Sequence, residues 1–147
     1  MAEPDPRPIR ALALAGLSAT WVALSVGYWL PGIGLPRMDV ALWNGNLLVP
    51  DITAVSVAWV VGAVQTLGLG TLFGIAYGRL MRDRLPGPPA LRGAIWGGVI
   101  AIPAGMVIMP LLYGAGIFGV RWDPAMPPAV AIWYLVWGVT VGITARL

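Results

Sequence analysis

Four apolar stretches, each roughly twenty residues or more and free of charge through its middle, alternate with polar or proline-rich breaks along the chain. They fall at about residues 11–30, 52–78, 93–112 and 129–145, and the first stops at Pro31-Gly32. A helix of roughly 20 apolar residues crosses the hydrocarbon of a bilayer. The pattern therefore predicts an all-α fold, an integral membrane four-helix bundle. The second stretch exceeds what a membrane needs, which predicts a tilted helix. Pro103 and Pro110 in the third each free a carbonyl four residues back, at Val99 and Met106, and predict kinks there. Between the first two stretches, Met38, Leu42 and Trp43 predict a short helix in the membrane interface, ended by Asn44-Gly45. Residues 1–9, with their prolines and charges, read as a disordered tail, leaving residues 10–147 as one domain.

Small residues recur at every fourth position of these stretches. The second carries Gly62, Thr66, Gly70, Gly74 and Gly78; the first carries Ala11, Ala15, Ala19, Ala23 and Gly27. The third carries Gly93, Gly97, Ala101 and Gly105, and the fourth Gly138 and Gly142. In water each glycine weakens a helix by about 1 kcal/mol relative to alanine. In lipid a bare stripe lets helices approach closely, and van der Waals packing then drives their association. The stripes are expected to join the four helices to each other, or in one case to face a partner subunit or a second copy. The second stretch, with the most continuous stripe, is expected at the centre of the bundle.

An internal repeat is visible as well. Gly32–Asp39 and Gly116–Asp123 both fit G-I-x-x-x-R-x-D, and Gly74-Ile75-Ala76-Tyr77-Gly78-Arg79-Leu80 resembles Gly142-Ile143-Thr144-Ala145-Arg146-Leu147 with one gap. Two like-oriented helical hairpins are the economical reading. The repeat gives the first stretch a counterpart in the third, which favours its retention over cleavage as a signal peptide. Its end, Tyr28-Trp29-Leu30-Pro31, also lacks a small-residue cleavage site.

Composition and charge refine this. The chain is 59% hydrophobic and 10% charged, against about 25% charged in soluble domains. Its basic residues are all arginine. Arg7, Arg10, Arg79, Arg82, Arg84, Arg92 and Arg146 fall on one side of the spans, and Arg37 and Arg121 on the other. The positive-inside rule then places both termini and the middle loop in the cytoplasm, in a multi-pass protein of the cell's inner (plasma) membrane. No basic domain stands apart from the spans to bind phosphates, so nucleic acid is not expected as a partner.

Candidate chemistry is sparse. The chain has no cysteine and no histidine, and no Asp, Glu, Lys or Arg lies at the middle of a span, where pumps and proton relays keep such residues. Without a nucleophile and a positioned base, no enzyme, no cofactor and no metal are expected. Polar residues at depth are Gln65, Thr66 and Thr71; Ser18, Thr20 and Ser25; and Tyr134 and Thr140. Gln65 is the candidate for lining a polar path, or else for bonding across helices. Asp39, Asp51 and Asp123 would suit a hard cation, but the R-x-D spacing suits ion pairs with Arg37 and Arg121 better. Trp21, Trp29, Trp43, Trp122 and Trp133 are read as an aromatic belt near span ends. A quinone or lipid resting on Trp and Tyr rings stays open.

Several pieces taken in order resemble a known family. They are Leu35-Pro36-Arg37-Met38-Asp39, Gly70-Thr71-Leu72-Phe73-Gly74-Ile75-Ala76-Tyr77, Arg84-Leu85-Pro86-Gly87, Met109-Pro110-Leu111 and Gly114-Ala115-Gly116-Ile117-Phe118-Gly119. The set resembles a family of small four-span prokaryotic membrane proteins classed as a domain of unknown function, over about residues 10–147. The resemblance implies the same fold and topology, and no activity. It also implies a histidine one turn before a glycine in the second and fourth spans. The matching positions here are Thr66, before Gly70, and Tyr134, before Gly138, so this chain departs from the pattern at both.

The leading functional expectation is a non-catalytic accessory or scaffold subunit of a larger membrane complex, whose partners are the lipid bilayer and other membrane subunits or itself. The alternative is a small transporter or permeation unit acting as a homo-oligomer, with Gln65 and the prolines of the third span along its path.

Overall fold

The computed structural model describes residues 8–50 and 54–145, and these are helical, with no strand among them. Helix α1 (Ile9–Trp29) tightens into a 3-10 turn at Leu30–Ile33, and α2 is Val40–Leu48. Helix α3 (Val55–Ala76) loosens into a π turn at Tyr77–Met81. Helix α4 (Pro89–Ile100), a π segment (Ala101–Ile108) and α5 (Met109–Leu112) follow one another without a break, and α6 is Met126–Thr144. Four helical stretches, Ile9–Ile33, Val55–Met81, Pro89–Leu112 and Met126–Thr144, are long and apolar enough to cross a membrane. They coincide with the predicted spans, with ends shifted by a few residues. Ile9 already belongs to α1 and Pro8 precedes it, while residues 1–7 of the expected tail, Arg7 among them, and Asp51, Ile52 and Arg146 lie outside the described residues.

Local chemistry sets the ends. Prolines sit in the first turns of α4 and α6, where a missing N–H costs nothing. Gly34, at φ 79°, closes the first rod by donating its N–H to the Leu30 and Pro31 carbonyls. Pro103 interrupts the third span as expected, and the interruption takes the form of the π segment around it. The basic loop before α4 is held by Arg92, whose Nε donates to the Gly87 carbonyl at 2.7 Å and whose Nη1 donates to the Arg82 carbonyl at 3.1 Å.

The spans pack in a row ordered α3, α1, α6, α4, while α3 and α4 touch sparsely. Bare backbone makes the seams. A Cβ added to Gly74 would stand 2.5 Å from the Gly16 Cα, and one added to Gly142 would stand 2.9 Å from the Gly93 Cα. Gly70 faces the Thr20 side chain, Gly78 faces Leu12, and Gly97 and Gly138 face each other. The expectation that α3 sits at the centre is therefore corrected. Only 28% of its most apolar window is buried, against 44% for α6, because its stripe is divided between two partners. Gly70, Gly74 and Gly78 meet α1, whereas Gly62 meets Ala41 and Gly45 of α2.

The short helix also differs from expectation. Asn44-Gly45 does not end it; both residues are buried inside α2, which runs on to Leu48. The chain doubles back after α1, with the Met38 N–H donating to the Gly27 carbonyl at 3.0 Å. Asp39 caps α2 by accepting from the Leu42 N–H at 3.3 Å. Helix α2 then lies antiparallel along the first half of α3, Ala41 beside Gly62 and Gly45 beside Ala58. Glycine at both 45 and 62 is what permits this approach, since a Cβ at either would overlap backbone carbonyls.

Candidate functional site: a cavity between the two helical pairs

Pair α1/α3 and pair α4/α6 diverge around a cavity of about 210 Å³. Its wall is mostly carbon, with aromatic rings from α2, α3, α6 and the segment after α5. No charged side chain contributes to it. Several of its polar groups are bonded to one another or to their own helices. Asn44 Nδ2 donates to Thr66 Oγ1 at 2.8 Å, Thr66 donates on to the Gly62 carbonyl at 2.6 Å, and the Tyr113 hydroxyl donates to Asn44 Oδ1. Burial, helped by neighbouring Tyr134, pushes the Tyr113 phenol above its ordinary range, so it stays a protonated donor. Deeper in, Trp137 Nε1 donates to Thr20 Oγ1 at 2.9 Å, and Thr20 donates to the Gly16 carbonyl at 2.8 Å. Gly70 leaves the room that Thr20 occupies.

Two groups of rings bound the space. Trp43, Tyr113 and Trp122 cluster with centroids 5.2 to 6.1 Å apart. The same three rings line a second hollow of about 380 Å³, together with Asn46, Leu47 and Leu112, so the cluster stands between the two spaces. On α6, Trp133 and Tyr134 pack edge to face at 5.0 Å, and the Tyr134 ring lies over Gly105, whose hydrogen makes the space for it. The Trp133 indole N–H is buried with no hydrogen-bond partner.

Of the residues singled out in the sequence, Thr66, Gly70, Thr20 and Tyr134 meet at this cavity. Gln65 does not reach it; its Oε1 is buried without a hydrogen-bond partner. Ser18, Ser25, Thr71 and Thr140 each donate to a carbonyl one turn back in their own helix, the local bonding that such side chains favour in helices. Trp21 lies at the middle of its rod, 56% exposed, and Trp133 is buried in the cavity wall, so neither is a belt residue. Asn44, Trp137 and Tyr113 went unnoticed in the sequence as site residues. The signal available was an asparagine inside an apolar helix, masked by the glycine that follows it.

The aspartates are engaged separately. Asp39 pairs with Arg37 at 2.9 Å and accepts from the Tyr28 hydroxyl at 2.9 Å; Arg37 also stacks 4.2 Å over the Tyr28 ring. Trp59 Nε1 completes this cluster by donating to the Tyr28 oxygen at 2.6 Å. Asp123 accepts instead from the Ala125 N–H at 2.7 Å, ahead of α6. Asp51 lies outside the described residues, and among those described no group of acidic side chains is arranged to hold a metal. The polar side chains on the cavity wall are the hydroxyls of Thr20, Thr66, Tyr113 and Tyr134, the Asn44 amide and the indoles of its tryptophans.

Comparison with known proteins finds no family model, no curated protein and no solved structure that matches this chain.

Proposed function

We propose that the protein is a small permeation or transport unit of the cell's inner membrane, with both termini and the Arg79–Arg92 loop in the cytoplasm. The observation that carries this reading is the cavity between the helical pairs, separated by the Trp43–Tyr113–Trp122 cluster from a second hollow. Substrate sites of many transporters lie at the interface of internal repeats, beside discontinuous helices. Here the cavity adjoins the π segment around Pro103 and the short helix α2, which lies antiparallel along α3. The two pairs are a repeat in this reading. Gly74 meets Gly16 as Gly142 meets Gly93, and Gly70 meets Thr20 as Gly138 meets Gly97, at constant spacing in each arm. Thr66 and Tyr134 then occupy equivalent places, one turn before Gly70 and Gly138, and both face the cavity. An accessory subunit without a site of its own, the leading expectation from the sequence, has no use for this space.

The absence of native cysteine allows a direct test. In proteoliposomes, Thr66→Cys is expected to react with a small neutral methanethiosulfonate added outside, and Trp122→Ala in the same chain is expected to speed that reaction. If Thr66→Cys stays inert with and without Trp122→Ala in folded protein, the cavity is sealed and the scaffold reading replaces this one.

A further inference from the structure

We infer that the cavity binds a neutral, lipid-dissolved molecule of one or two rings that carries a hydrogen-bond acceptor, and that this molecule enters sideways from the bilayer between α3 and α4. The inference deepens the transport reading by naming the class of cargo, and it concerns the same wall.

Size comes first. Apolar cavities of about 150 Å³ stay dry and take up benzene-sized molecules, while pockets for drug-sized ligands run to about 300–1,000 Å³. A space of about 210 Å³ lies between them and suits one or two rings. Charge comes second. The wall offers no ion a partner, and an ion buried in such surroundings would go uncompensated. Aromatic edges and faces from Phe73, Trp133, Tyr134 and Trp137 suit a flat, uncharged guest.

The acceptor follows from an unmet donor. Trp133 is 6% exposed, its ring forms part of the wall, and its N–H has no partner. Buried indole N–H groups normally find one, and leaving a buried donor unpaired is costly. A carbonyl or ether oxygen on the guest satisfies it.

The route follows from the row of helices. Helices α3 and α4 close on each other sparsely, and the Trp96 indole N–H reaches the Phe73 carbonyl at 3.3 Å across that gap. Leu69 and Phe73 of α3 and Ile108 of the π segment line the cavity and are themselves 37%, 37% and 53% exposed. Partly exposed lining residues beside a sparse helix contact mark the opening of the cavity to its surroundings.

The test uses the full chain in lipid nanodiscs and benzophenone, a neutral two-ring ketone that couples to nearby C–H bonds when irradiated. Peptide mapping is expected to find the label near Met109 and Met126 on the wall. Acetophenone is expected to protect about three- to tenfold better than its isostere α-methylstyrene, which lacks the oxygen, as one hydrogen bond would give. Trp133→Phe is expected to erase that difference while keeping the label. The acetophenone comparison on the unsubstituted protein stands by itself if that variant fails to fold. Ile108→Trp is expected to slow labelling. Label confined to lipid-facing residues such as Val64 and Leu72, or equal protection by both compounds, overturns the ligand class. No effect of Ile108→Trp on the labelling rate overturns lateral entry. Wall labelling with an inert Thr66→Cys sinks transport and leaves this binding site standing, whereas thiol access without wall labelling does the reverse.

Discussion

Asn44 uses both ends of its amide inside the protein, one on Thr66 of α3 and one on the Tyr113 hydroxyl. Polar bonds between helices in lipid are worth about 0.6–2 kcal/mol each. Asn44→Leu is therefore expected to destabilise the protein by about 1–3 kcal/mol, since it breaks both bonds and strands Tyr113. Thr66→Val should cost less, and the double variant less than the sum, because the two share one bond; unfolding in mixed SDS micelles reads all three. Tyr113 makes a second prediction. Its phenol is held above the ordinary value near 10.0 by burial first and by Tyr134 second. The folded protein keeps this proton where an unfolded chain releases it. The stability it contributes is thus full below the ordinary phenol value and lost as pH climbs above it. Tyr113→Phe should leave phenolate absorbance of the folded protein unchanged about one unit above the usual phenol pKa of about 10. None of this was legible in the residues alone. Asn-Gly is a turn signal in most settings, and it took the approach of Gly45 to Ala58 to turn it into a helix interior.

At the scale of elements, the four-residue stripes were legible as contact faces, but their partners were not. A stripe says which side of a helix is bare and leaves unstated which neighbour it meets. The α3 stripe is the instructive case, because Gly62 belongs to the seam with α2 and Gly70, Gly74 and Gly78 to the seam with α1. Glycines outside the stripes serve as controls. Gly68 on α3 and Gly98 on α4 have open space where a Cβ would go. Gly68→Leu and Gly98→Leu are expected to be neutral or mildly stabilising, through helix propensity alone. Gly74→Leu and Gly142→Leu would drive side chains into backbone that cannot move aside, at a cost above the roughly 1–3 kcal/mol of ordinary overpacking. Thermal unfolding in detergent, followed by the yield of monodisperse protein, separates the two groups. The π segment was half legible: Pro103 announced a break, but whether it became a kink or a wider turn depended on what packed there. Gly105 accepts the Tyr134 ring at that place.

For the whole molecule, length and hydropathy revealed four spans, and they could not reveal the order of packing. Residues that face lipid and residues that face another helix are equally apolar, so the pattern does not tell the two surfaces apart. The row α3, α1, α6, α4 and the opening it leaves had to come from the structure. It follows that each pair should be a folding unit, with its own glycine seam. Chains severed between Leu85 and Pro86 and expressed together are expected to reassemble and co-purify, and Thr20→Val with Trp137→Phe should weaken that recovery by removing one of the bonds between the halves.

The Thr20–Trp137 bond joins positions 117 residues apart, on the first and last spans. Domains emerge from the ribosome N-terminal part first. Through most of translation, the side of α1 that will face Trp137 therefore has only lipid beside it. The α6 side of the cavity, with Trp133, Tyr134 and Trp137, comes into being only when that helix arrives, so a chain halted before α6 would lack both that aromatic wall and the partner of Thr20.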